Sequence, residues 1–413
     1  MASSRRLRPL ALEFEIEPRV HPWGVLALVL RGPSRLLDQF TTAHHRLLDR
    51  AAATLTQHKV LFPSGFFCDG WGDLATPTRL QRVIASPQMR EVHALERGEV
   101  VWTRRRELTA SHARVQEGRF RSTLPDSEQH LPVESRDAFC ELVTPLEWGE
   151  RADGVPLGAP NRPLVVLLPG TGEHGYLHRR TSVALPLARL GVATLILEGP
   201  FYGKRRPSDQ RGSKLRRVSD LPILGQATIE EAKSLLAYFR DYHNFSNLVV
   251  AGSSMGGLHA AMVASAVRGR SALGVLQLDA AHGHGVLDGL EEDQRASDSI
   301  SHSNFEDADP VVQAKKRMRT FLSITDIDNF EPPQRSDAVV FVVGTEDEYI
   351  GTTEPQWAKL EARWKAVDVR YVHTGHVSGI LLEHEAYRET ILEVIHTLKR
   401  RSVKAPVPQS DVP

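Results

Sequence analysis

The chain has 413 residues, 41% of them hydrophobic, and its 51 basic and 51 acidic side chains give a formal charge of zero. That balance lacks the basic excess of a nucleic-acid binder, and the length and composition suit a soluble globular protein built mostly on one large core. Cys68 and Cys140 stand far apart without metal-ligand spacing, which argues against a disulfide framework and points to a reducing, cytoplasmic setting. No run reaches about 18 apolar residues, so no transmembrane helix is expected. The start, MASSRRLRPLALEFEIEPRV, is interrupted by acids and makes a poor secretory or transit signal.

Residues 1–145 are expected to form a helical and irregular accessory segment packed on the main domain. Apolar residues recur at helical spacing from about Pro33 onward, through TTAHHRLLDRAAATLTQ. Around them lie LFPSGFFCDGWGD and the charged ERGEVVWTRRRELTASH, to which no chemistry attaches. From about Glu141 the pattern changes, and 146–400 is expected to be the catalytic domain. PLVVLLPG (163–170), VATLILEGP (192–200) and NLVVAG (247–252) read as strands, as do LGVLQLD (273–279), AVVFVVG (338–344) and VDVRYVH (367–373). ATIEEAKSLLAYFRDY (227–242), GGLHAAMVASAVR (256–268) and EAYRETILEVIHTLKR (385–400) read as helices. Near-continuous apolar strands joined by helical crossovers predict an α/β fold, a mostly parallel sheet with helices on both faces. Residues 280–335 break the alternation with polar sequence, a cap or insertion, and 401–413 has the composition of a disordered tail.

Gly252-Ser253-Ser254-Met255-Gly256 fits G-x-S-x-G with Ser254 central, after a strand and before a helix of small residues. A serine on such a strained turn needs neighbours without bulky side chains, and the helix N-terminus behind it favours an oxyanion. Ser254 is read as a nucleophile, with Ser253 off-register. The partners should follow as an acid and then a histidine. Asp347, directly beyond the strand ending at Gly344, is the preferred acid over Glu346, Glu348 and the earlier Asp279. His376, in a small-residue loop before the last helix, is the preferred general base over His373. The oxyanion hole should combine the Met255 N–H with a donor from LLPGTGEHG, either Thr171 or Gly172.

The motifs LLPGTGEHGYLHRRT, LILEGPFYGKRRPSDQRGSKLRRVSDL, GSSMGG, GTEDEYI and GHVSG together resemble the alpha/beta-hydrolase domain-containing protein 18 family. EGRFRSTL and LPVESRDAFCELVTPLEW, within 117–148, are similar to the segment leading into that family's catalytic domain, so the resemblance spans about 117–400. It implies an α/β-hydrolase fold with Ser254, Asp347 and His376 in the triad positions, and eukaryotic relatives regarded as lipid-directed hydrolases. Residues 280–335 are short where relatives can carry long insertions.

The expected activity is therefore serine hydrolysis of a carboxylic ester or thioester, a lipid acyl group being the favoured substrate, with no cofactor required. FYGKRRPSDQRGSKLRR is rich in Lys and Arg. Arg179, Arg180, Lys204, Arg205 and Arg206 would make a positive rim for an anionic substrate such as a lipid head group, with peripheral membrane contact, or else a solvated basic loop. His174, His178 and AAHGHG (280–285) lack the carboxylate or Cys that would complete a metal site. The same triad would serve an acyltransferase. HHRLLD (44–49) and HSNFED (302–307) match H-x-x-x-x-D, but neither lies beside His376 in sequence. A non-catalytic binding protein on the same fold has no need of all three triad residues.

Overall fold

The computed structural model describes residues 42–57, 65–73, 75, 90–149, 155–156, 158–159, 162–267, 272–278, 310–349 and 354–402. Helix α1 (Thr42–Gln57) comes first. Three strands follow, β1 (Val101–Leu108), β2 (Ala113–Arg121) and β3 (Asp137–Pro145). Then β4 (Leu164–Leu168) leads to a helical run over 177–189, called α2, and to β5 (Ala193–Leu197). Next come α3 (Asp220–His243), β6 (Asn247–Ser253), α4 (Met255–Ala266) and β7 (Ala272–Leu278). The chain continues through α5 (Pro310–Leu322), β8 (Val339–Gly344), α6 (Glu354–Arg363) and β9 (Asp368–Val372). It ends with α7 (His376–Leu382) and α8 (His384–Ser402).

The described strands form one sheet in the order β1-β2-β3-β5-β4-β6-β7-β8-β9. From β5 to β9 every pairing is parallel, whereas β1, β2 and β3 pair antiparallel and β3 joins β5 antiparallel. The two residue sets of each buried strand go to opposite faces, as the two-residue period of a strand requires. Leu164, Val166 and Leu168 pack with Leu235, Phe239, Val263 and Trp364 from α3, α4 and the end of α6. Val165 and Leu167 pack with Val183 and Leu187 of α2 and Ile391 and Ile395 of α8. Both faces are thus covered, which is why these strands read as continuous apolar runs. Among the described residues no helix is long and apolar enough to cross a membrane.

Two expectations about the chain are corrected. The stretch 101–145, expected within an accessory segment, supplies three strands of the central sheet. Its charges hid this. Arg121 lies directly opposite Asp137 and pairs with it, and Glu107 lies opposite Arg114 with a 3.3 Å ion pair. Cross-strand pairs of opposite charge stabilise a sheet while erasing its apolar pattern. Helix α3 begins at Asp220 rather than at 227, despite Pro222 and Gly225. Proline is tolerated in a first turn, and Gly225 accommodates His259, whose Nε2 would lie 3.0 Å from an added Cβ.

Candidate active site

The loops that end β4, β6, β8 and β9 meet at one edge of the sheet, the carboxyl end of its parallel strands, where open α/β sheets place their ligands. The turn after β6 is the sharpest. Ser254 sits there at φ 55° and ψ −129°, a region costly for any residue with a Cβ. The turn holds because its neighbours are small. A Cβ on Gly252 would come within 2.4 Å of the Gly256 backbone, and one on Gly256 within 2.7 Å of the Leu168 carbonyl oxygen. The glycines of G-x-S-x-G therefore let strand and helix pass each other and let α4 press against the β4 loop.

His376 opens α7, just beyond β9, and its Nε2 lies 3.1 Å from Ser254 Oγ. On the other side, His376 Nδ1 lies 3.0 Å from Asp347 Oδ2, in the loop after β8. The side chains of His376 and Asp347 are only 5% and 2% exposed, so water competes little for the pair. The Tyr349 ring stacks on the imidazole at 5.1 Å with 13° between planes, and its N–H donates to Asp347 Oδ1 at 2.9 Å. Imidazole and carboxylate are thereby each fixed by a second contact.

The rival residues are occupied elsewhere. Glu346 accepts from Arg46 at 2.9 Å, and Glu348 pairs with Arg50 at 2.6 Å. His373 is 57% exposed and faces Glu346 at 3.4 Å. The Ser253 hydroxyl faces the buried Tyr387 phenol. Asp279 lies outside the described residues.

Met255 is the first residue of α4, and its N–H lies at the helix N-terminus beside Ser254. The loop carrying Thr171 and Gly172 runs alongside, with Gly170 close to the Ser253 carbonyl. Glu173 anchors that loop by accepting the Gly170 N–H at 3.2 Å and Arg179 Nε at 2.9 Å. Burial opposes ionisation of Glu173. Arg179, His178 and the Gly170 N–H outweigh it and hold the carboxyl at about 2, so it stays charged.

Of the expected basic rim, Arg179, Arg180 and Arg205 are engaged within the fold. Arg179 is buried and donates to the carbonyl oxygens of Leu167 and Leu197. Arg180 makes two 2.6 Å bonds to the buried Glu141, and Lys204 bonds Glu117 at 2.7 Å. Arg205 is fully buried against Glu231, and Arg206 is half-buried. Arg179, Arg180 and Arg205 thereby tie loops to the body of the fold, since a buried guanidinium needs a partner there. His174 also serves packing, accepting the Gly203 N–H at 2.8 Å and meeting the Ser213 hydroxyl at 3.3 Å. His178 lies 3.9 Å from Glu173. AAHGHG and HSNFED lie outside the described residues.

Sequence reasoning read the helical spacing of α1 but missed its place at the site. Asp49, 1% exposed, accepts the N–H groups of His376 at 2.9 Å and Val377 at 2.8 Å. Its carboxyl is raised by burial, partly offset by those two N–H groups. His45 Nδ1 lies 2.8 Å from Ser378 Oγ. The H-x-x-x-x-D pattern in HHRLLD ends at Asp49, but its histidine, His44, is exposed and the pattern did not point to these contacts. An apolar cluster also closes around Met255. It joins Phe67, Leu124, Phe201 and Tyr202 to Met318 and Leu322 of α5, within the expected insertion.

Strand order, helices on both faces and the serine turn define an α/β hydrolase. A family model described as alpha/beta hydrolase domain containing 18 matches residues 64–283 and 290–397, and the chain belongs to that family. Among solved structures, it is similar to an acetyl xylan esterase from Paenibacillus sp. R4, with 15% identity and a TM-score of 0.46 over 79% of this chain and 95% of that one. It is also similar to a cold-adapted esterase from an Arctic intertidal metagenomic library, with 15% identity, 73% and 98% coverage and a TM-score of 0.42. A lidless serine hydrolase from Xanthomonas campestris gives 14% identity, 64% and 91% coverage and a TM-score of 0.37.

Proposed function

We propose that the protein is a serine hydrolase that cleaves a carboxylic ester or thioester through an acyl-enzyme on Ser254. The observation that carries this reading is the continuous contact from Ser254 Oγ to His376 to Asp347, at 3.1 and 3.0 Å. His376 Nε2 takes the Ser254 proton as Oγ attacks the acyl carbonyl, and Asp347 holds Nδ1–H and stabilises the imidazolium. The oxyanion accepts hydrogen bonds from the Met255 N–H and from Thr171 or Gly172. Collapse breaks the bond to the leaving group, which departs with the proton from His376. Water then attacks the acyl-enzyme, gives its proton to His376, and Oγ recovers it as the carboxylic acid leaves.

Labelling with a fluorophosphonate tests the nucleophile. The wild-type chain should label, while Ser254→Ala should not and His376→Ala should label at least about a hundredfold more slowly. A wild type that fails to label would sink the reading, and labelling that persists in Ser254→Ala would move the nucleophile elsewhere. An ester panel with and without an added alcohol acceptor separates hydrolysis from acyl transfer by its product.

A further inference from the structure

We infer that Asp49, carried by α1, is a positioning residue for His376, and that the catalytic site is incomplete without this N-terminal helix. The inference rests on the serine-hydrolase reading of the same site and deepens it. The family match begins at residue 64, so α1 lies outside the matched residues.

The geometry is specific. One Asp49 carboxylate accepts three backbone N–H groups, from Glu348 at 3.2 Å, His376 at 2.9 Å and Val377 at 2.8 Å. The first belongs to the loop that presents Asp347 and the other two to the start of α7. A single buried charge therefore ties the acid loop to the histidine. Three donors compensate a carboxylate that would otherwise be too costly to bury. Gly375 makes room, since an added Cβ would come within 2.9 Å of Asp49 Oδ2.

The rest of α1 reinforces the same junction. His45 meets Ser378 Oγ, which also accepts the Gly375 N–H at 2.9 Å. Arg46 and Arg50 pair with Glu346 and Glu348 on either side of Asp347. The first turn of α7, the histidine it carries and the acid opposite are thus all referenced to one helix about 300 residues away in sequence.

The charge also acts on the reaction. His376 is faced by Asp347 at Nδ1, by Tyr349 on its ring and by Ser254 at Nε2, with Asp49 beyond its own N–H. Asp49 in turn is faced by His376, Asp347 and the Glu348 loop. His45 faces His373 and Glu346, while Arg46 and Arg50 are held by Glu346 and Glu348. A second carboxylate near the imidazole favours its protonated form, which is the form generated during attack.

Fluorophosphonate labelling of Ser254 against pH tests this in the full-length chain. Labelling rises as His376 loses its proton. Neutralising Asp49 removes a negative charge that favours the proton, so the rising limb should move down by about one pH unit in Asp49→Asn or Asp49→Ser. The plateau rate should fall about tenfold, because the imidazolium is less stabilised. Asp49→Glu keeps the charge and should return the limb to its wild-type position. Loss of plateau rate without movement of the limb would show a structural anchor only and overturn the inference, as would neutral variants that label like wild type. If neither neutral variant folds, the carboxylate is a requirement of folding and the inference about the reaction fails. Absence of labelling in wild type would sink the serine-hydrolase reading instead, so the two failures are distinct.

Discussion

Replacing Ser254 by glycine should make the protein more stable than replacing it by alanine. Both changes remove the hydroxyl and its 3.1 Å contact with His376, so that loss cancels in the comparison. They differ in the backbone. At φ 55° and ψ −129° alanine keeps the Cβ strain of serine, whereas glycine relieves it. Strain of this kind is worth about 1–3 kcal/mol. Against it stands the greater freedom of glycine in the unfolded chain, about 0.4–1 kcal/mol. The balance leaves Ser254→Gly more stable than Ser254→Ala by about 1 kcal/mol. A chain of 413 residues has a large unfolding entropy, so the difference in Tm is only about 1–2 °C. Denaturant titration of the two variants, with equal slopes, is the sharper assay. Equal midpoints, or a more stable alanine variant, would refute the claim that the turn stores strain at Ser254.

Arg205→Met should destabilise the fold by about 3–5 kcal/mol, because it leaves the Glu231 carboxylate buried without its 2.6 Å partner. Adding Glu231→Leu should recover at least half of that loss in denaturant midpoints, and a double variant as costly as the sum of the singles would contradict the pairing. Glu198, 1% exposed at the end of β5, responds to pH in the opposite sense to most acids. Burial lifts its carboxyl from 4.5 to about 7, with the Lys204 N–H pulling back only in part. The native state therefore holds a proton that the unfolded chain releases, and stability falls as pH rises from about 4.5 through 7. Glu198→Gln should leave stability at pH 5 nearly unchanged and raise it at pH 8 by up to about 3 kcal/mol. The same change in melting temperature at both pH values would count against a buried, protonating carboxyl.

The buried part of the sheet was legible because it is buried on both faces. Leu164–Leu168, Val339–Gly344 and Asn247–Ser253 announce themselves as apolar runs, and the observed strands match the expected ones within a residue or two. The serine turn was legible for a local reason. Its conformation requires small residues at Gly252 and Gly256, and those requirements sit within five positions. The antiparallel strands from Val101 to Pro145 were not legible, because their charges are neutralised by partners on the next strand.

Arg179 and Arg205 were expected at a solvent-facing rim for a related reason. Charge is written in the sequence but burial is not, and Arg179 and Arg205 meet their partners only after folding. Asp49 is the extreme case, since nothing near it in the chain hints that His376 and Glu348 will bring three N–H groups to its carboxylate. By itself the sequence determined where strands and helices alternate and which serine, acid and histidine occupy loop positions, because those depend on periodicity and on short-range steric need. Only the tertiary structure decided which charges are buried and which helix holds the histidine in place, because those depend on contacts between residues far apart in the chain.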